Sequence, residues 1–153
     1  MGWSDWLLSF HVLAAFALIG GIVAQASLQV AATRRDDASD VALMLRLAAI
    51  PGYVVMAGAT LALIFGVWLA VELDAYSLTD GWIIASIILW VVASALGGRS
   101  DSLVRTVREA AQRGGDDRAA MARLRQPSTQ AFGWSAAVLY LVILVLMIWK
   151  PGA

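Results

Sequence analysis

Residues 6–33 read WLLSFHVLAAFALIGGIVAQASLQVAAT, 28 consecutive positions without Asp, Glu, Lys or Arg. A helix of that length exceeds the roughly 20 apolar residues that cross a hydrocarbon core of about 30 Å. Three more charge-free runs follow, at 47–71, 81–98 and 126–149, with lengths of 25, 18 and 24 residues. Pro127 closes the polar segment before the last of them and sets that span at about 128–149. The expected fold class is all-α: a polytopic transmembrane antiparallel four-helix bundle forming one domain over residues 1–153. Its spans are about 6–33, 47–71, 81–98 and 128–149, and its cytoplasmic segments are 34–46 and 99–127. The second of these segments reads as a helical hairpin between helices 3 and 4.

The rest of the composition agrees with a lipid solvent. The 153 residues are 61% hydrophobic and 14% charged, where a soluble domain carries about 25% charged. Seventeen of the 22 charges fall in two windows, Arg34 to Arg46 and Arg99 to Arg125. A net charge of zero without a long basic stretch argues against a nucleic-acid partner. The absence of Cys removes disulfides, thiolate metal sites and Cys nucleophiles.

Ala24-Gln25-Ala26 has the form of a signal-peptidase site, but a secretory signal begins with Lys or Arg. Here the only charge before the run is Asp5, and Arg34-Arg35 follow it, so the run reads as a retained first helix. Arg34, Arg35 and Arg46 in one loop and seven Arg between Arg99 and Arg125 place ten of eleven basic residues on one face. Basic residues accumulate in short cytoplasmic loops, so both termini and the 72–80 loop are expected outside a bacterial inner membrane. Trp3, Trp6, Trp82 and Trp149 fall at the outer ends, where an indole prefers the headgroup region.

Within the polar segments, Ser39 or Asp40 is expected to cap a short helix over Val41–Ile50, which Pro51-Gly52 kinks or interrupts. Ser100 is expected to cap a helix through Arg113 that Gly114-Gly115 ends, with Asp116 capping another. The pairs Asp101/Arg105 and Glu109/Arg113 have the acid-before-base spacing that supports a solvated helix. With seven Arg against four acids, this hairpin is also expected to attract anionic lipid heads.

Inside the spans, the residues that depart from Leu, Ile and Val carry the information. His11, Gln25 and Gln29 share one face of the first helix with Ala15, Leu18 and Ile22. His11 lies in the outer half and the two Gln in the inner half, roughly 20 Å away, too far for one small ligand. Two readings stand for these three polar groups: a polar lane or cofactor ligand facing the bundle interior, or one interhelical hydrogen bond each. Gly58, Ala62, Gly66 and Ala70 recur every four residues, a stripe suited to close helix packing within the bundle or to a homodimer. Trp90 and Tyr140 lie deep, and each has a polar hydrogen that needs an acceptor, for which Ser86, Ser94 and His11 are available.

Missing residues narrow the chemistry. No carboxylate lies in a charge-free run, which disfavours a proton-coupled antiporter, and no Ser/His/Asp set, HExxH or glycine-rich phosphate loop exists. One His without Cys does not make a zinc site, so no metal ligand set is expected. A single imidazole does suffice to hold haem iron.

The run Trp6-Leu7-Leu8-Ser9-Phe10-His11-Val12-Leu13-Ala14-Ala15, then Gly20-Gly21 and Arg34-Arg35, resembles the first helix of a bacterial predicted integral membrane family. That family is the domain of unknown function twenty-two sixty-nine, and Gly58 to Trp82 resembles its middle section. A similar first helix occurs in copper-resistance D-type proteins and HemJ-type protoporphyrinogen oxidases, where the resemblance implies a haem role for the position of His11. Leu18 stands where those proteins carry Trp, and the third span has no Lys. The expected function is a small membrane protein of binding or accessory type. The alternatives are a haem b membrane oxidoreductase using His11 and a permease for a neutral solute.

Overall fold

A computed structural model describes residues 2–72, 77–112 and 118–150. The chain folds into α1 (Trp3–Thr33), α2 (Ala38–Glu72), α3 (Gly81–Gln112), α4 (Arg118–Arg125) and α5 (Pro127–Trp149). Helices α1, α2, α3 and α5 are long and apolar enough to cross a membrane, and at most 22% of the most apolar window of each is buried. Phe16, Val23, Ile64, Val91 and Ile148 instead point outward. Helices apolar on their outer faces need a hydrocarbon solvent, so the molecule is an integral membrane four-helix bundle.

Local chemistry sets the helix ends. The Asp5 carboxylate accepts the Gly2 N–H at 2.8 Å and places negative charge in the first turn of α1. α2 starts on Asp37, whose Oδ1 accepts the Ser39 N–H at 2.9 Å, so the cap is neither Ser39 nor Asp40. Pro127 occupies the first turn of α5, where its missing N–H costs nothing. Lys150 closes α5 in a left-handed conformation, with its N–H on the Leu146 carbonyl.

Two expected interruptions of a helix are absent. α2 runs unbroken from Ala38 to Glu72 with Pro51 inside it. The packing of α1 accounts for this: a Cβ on Gly21 would lie 3.2 Å from the Pro51 carbonyl oxygen and 2.9 Å from a Val55 methyl. A neighbouring helix pressed so closely supports a proline that would end an isolated helix. α3 likewise continues from the third span through Ser100 to Gln112, so Ser100 is not a cap. Ser100 packs instead on α5, 3.2 Å from where a Cβ on Gly133 would sit. The expected turn at Gly114-Gly115, Arg113 and the Asp116 cap lie outside the described residues.

α1 packs mainly on α2 and α5 on α3, while α2 against α3 joins the two pairs. α1 and α5 are not joined by a comparable contact. Leu18, Ala59, Ala93 and Tyr140 form the central core. At the Arg-rich end, Ala32, Val41, Leu45, Val104, Val107 and Leu124 form a second core beneath α4. Arg125 fastens that end by donating to the carbonyls of Thr33 and Arg35 at 3.1 and 2.9 Å and to the Asp36 carboxylate at 2.8 Å. Those carbonyls belong to the end of α1 and the turn after it, where no further helical N–H follows to satisfy them.

At the opposite end, Trp3 and Trp149 are 59% and 82% exposed, as a headgroup belt requires. Trp82 differs: it is only 8% exposed because it packs with Ala70 and Ile83 and lies under the Lys150 ammonium.

Candidate functional site

The polar residues of α1 face α2 and the interior. His11 Nδ1 lies 2.9 Å from the Ala62 carbonyl oxygen. A carbonyl only accepts, so the proton of the neutral ring sits on Nδ1 and the Nε2 lone pair is left over. The ring rests on Gly66, where a Cβ would come within 2.9 Å of Cε1. Gly58 meets α1 more tightly still, since a Cβ there would lie 2.8 Å from the Leu18 nitrogen. Gly58, Ala62 and Gly66 therefore face α1, and Ala70 turns to Trp82 and Ile83 on α3. A second copy pairing through this stripe would first have to displace α1.

The deep aromatic groups find partners away from His11. Trp90 Nε1 donates to the Ala59 carbonyl at 3.0 Å, and the Tyr140 hydroxyl bonds Ser94 Oγ at 3.0 Å. Ser86 Oγ donates back to the Trp82 carbonyl at 2.7 Å.

Gln25 and Gln29 lie on the wall of a cavity of about 640 Å³ toward the Arg-rich end. Gln25 passes over Gly52, with its Nε2 3.3 Å from where a Cβ there would be, and donates to Asp101 Oδ1 at 2.7 Å. Asp101 therefore serves α1 rather than Arg105, and Arg105 pairs with Glu109 at 3.6 Å. The solvated Asp101/Arg105 pair expected from spacing is replaced because a short hydrogen bond to a charged acceptor outweighs an exposed ion pair between long side chains. Gln29 and Arg108 also line the cavity, and neither has a hydrogen-bond or ion-pair partner among the described residues.

The cavity changes character with depth. Trp90, Ser94 and Tyr140 form its deep wall, and Asp101, Arg105 and Arg108 follow along α3 on the same face. A second cavity of about 480 Å³ lies between Ile19, Val23 and Ser27 of α1 and Trp134 and Leu141 of α5. Ile22, Ala26, Val30, Trp134, Ala137 and Tyr140 line both. The two adjoin across these shared residues, the first polar at the Arg-rich end and the second apolar where α1 and α5 part. His11 borders neither. Among the described residues, no group of three or more His, Cys, Asp or Glu is placed to hold a metal ion.

Sequence reasoning found Gln25 and Gln29 but not Asp101, Arg108, Gln130 or Trp134. The signal was present once α3 is read as one helix: Ser94, Gly97, Asp101, Arg105 and Arg108 are spaced by three or four and share a face.

Fold and cavity together define a small polytopic membrane protein with an internal, partly polar space in one half of its bundle. The chain belongs to the family described as predicted integral membrane protein, DUF2269, whose model matches residues 5–151. No curated protein and no solved structure matches the chain.

Proposed function

We propose that this protein is a non-enzymatic membrane binding protein that holds an amphiphilic molecule in the space between α1 and α5. The observation that carries this reading is that the two cavities adjoin, with six lining residues in common. Polar Gln29, Asp101 and Arg108 lie at one end, and apolar Ile19, Val23 and Leu141 lie at the lateral opening. Ligand sites combine an apolar wall with a few convergent polar groups, and here the opening lies between membrane-spanning helices. With ten of eleven basic residues at the cavity end, we place that end in the cytoplasm of a bacterium and both termini outside the inner membrane. The ligand then enters sideways from the inner leaflet.

The test is mass spectrometry of molecules that stay bound to the protein purified in mild detergent, compared with a Ser27→Trp variant. That substitution fills the α1–α5 opening with an indole. Loss of a co-purified amphiphile in the variant supports the reading. A purified protein that carries none, with no change in the variant, overturns it.

A haem reading rests on His11. Its Nδ1 bond to a carbonyl leaves Nε2 as the free donor atom, the arrangement found in metal-ligating imidazoles. Haem b would be held there through Nε2 and would supply one-electron chemistry. Against it, neither cavity reaches His11. The fit is therefore incomplete. An absorbance spectrum of the native protein decides: a Soret band lost in His11→Ala supports haem, and its absence removes it.

A further inference from the structure

We infer that the amphiphile is an anionic phospholipid of the leaflet at the Arg-rich end. Its phosphate sits at Arg108 and Arg105, and one acyl chain lies in the α1–α5 cleft. This deepens the binding reading above and rests on it.

Three observations carry it. First, Arg108 is a half-buried residue on the cavity wall, and its guanidinium has no hydrogen-bond or ion-pair partner among the described residues. An arginine in a partly desolvated site without an anion is costly, and phosphate is the anion its planar fork matches. Gln29, equally without a partner, faces the same space and offers amide donors to phosphate or ester oxygens. Arg105 adds a second cation one turn away on the same helix face.

Second, the apolar cleft has the depth of one leaflet. From Ile19 to Val30 it follows 11 residues of α1, about 17 Å, against a leaflet thickness of about 15 Å. Third, polar and apolar ends are ordered as in a lipid. The cations lie at the end of the helices where headgroups sit, and Ile19 and Leu141 lie toward mid-membrane. A second copy inserting a helix into the cleft would match the apolar wall, but it would leave Arg108 without an anion, since only Arg105 has Glu109 beside it.

The experiment uses the full chain in nanodiscs of phosphatidylcholine, into which brominated phosphatidylglycerol or brominated phosphatidylcholine is titrated. Bromines quench nearby indoles, and the difference between the native protein and Trp134→Phe isolates the indole in the cleft. The native protein should show quenching of Trp134 at a several-fold lower fraction of phosphatidylglycerol than of phosphatidylcholine. Arg108→Gln should remove most of that several-fold preference, which lies within the roughly tenfold scale of one charge-assisted hydrogen bond. Arg108→Lys should keep most of it, and Arg46→Gln, an exposed position that does not line the cavity, should leave it unchanged.

Equal quenching by both lipids in the native protein overturns the headgroup assignment and leaves the amphiphile reading standing. No quenching of Trp134 by either lipid overturns both. Binding of inorganic phosphate that Arg108→Gln abolishes and that leaves the quenching unchanged assigns the arginines to free phosphate and overturns the headgroup assignment. A cross-link between copies through Ser27→Cys in place of quenching puts a second protomer in the cleft and likewise overturns it. If Arg108→Gln does not fold, the native comparison and Arg108→Lys still decide the outcome.

Discussion

Gln25 and Asp101, 76 residues apart in sequence, meet through a 2.7 Å hydrogen bond that ties the first membrane helix to the third at the mouth of the cavity. α1 otherwise packs chiefly on α2, so this contact is a direct link between the two helix pairs. A double-mutant cycle with Gln25→Leu and Asp101→Leu should give a coupling of about 1–2 kcal/mol in detergent unfolding. Asp101→Asn keeps an acceptor and should lose less. Additive losses from Gln25→Leu and Asp101→Leu would mean that the bond does not hold the helices.

Gly58 permits the closest approach of α1 and α2, because a Cβ there would lie 2.8 and 3.0 Å from backbone atoms of Leu18 and Ala14. Backbone does not yield as a side chain does. Gly58→Ala should therefore lower thermal stability in detergent by about 1–3 kcal/mol. Gly20→Ala, with nothing within 4 Å, should be neutral or slightly stabilising.

His11 and Gly66 fit each other by size, which makes their substitutions interdependent. Gly66→Ala pushes a methyl to 2.9 Å from the imidazole, and His11→Ala removes that clash along with the bond to Ala62. The double variant should be more stable than the sum of the two single losses implies, by about 1 kcal/mol. Simple additivity in thermal unfolding would place the ring elsewhere.

Arg125 holds the turn after α1 through three hydrogen bonds. Arg125→Ala should release that turn and speed tryptic cleavage after Arg34 or Arg35, with the spanning helices still intact by circular dichroism. Unchanged cleavage would show that the Arg35–Asp40 pair, at 3.7 Å, keeps the turn closed by itself.

The orientation proposed for the chain is open to a labelling test in its Cys-free background. An impermeant maleimide added to intact cells should modify Thr79→Cys, which is exposed in the short loop before α3, and spare Thr106→Cys on the Arg-rich extension. The reverse pattern would invert the topology.

The four spans and the gathering of charge at the Arg-rich end were legible in the chain, because each depends only on composition within a window of about 20 residues. So was the polar face of α1, since helical periodicity places His11, Gln25 and Gln29 on one line whatever they touch. What lies opposite that face was a different matter. Whether Pro51 breaks α2 depends on how closely Gly21 presses against it, and whether Ser100 starts a helix depends on Gly133 of α5. Asp101 looked like half of a solvated pair four residues from Arg105 until Gln25 came within 2.7 Å of it. The cavity exists because α1 and α5 part while their partners pack. That gap is a property of no single helix: packing between helices is set by the shapes of both faces at once, and only the folded chain brings both to one place.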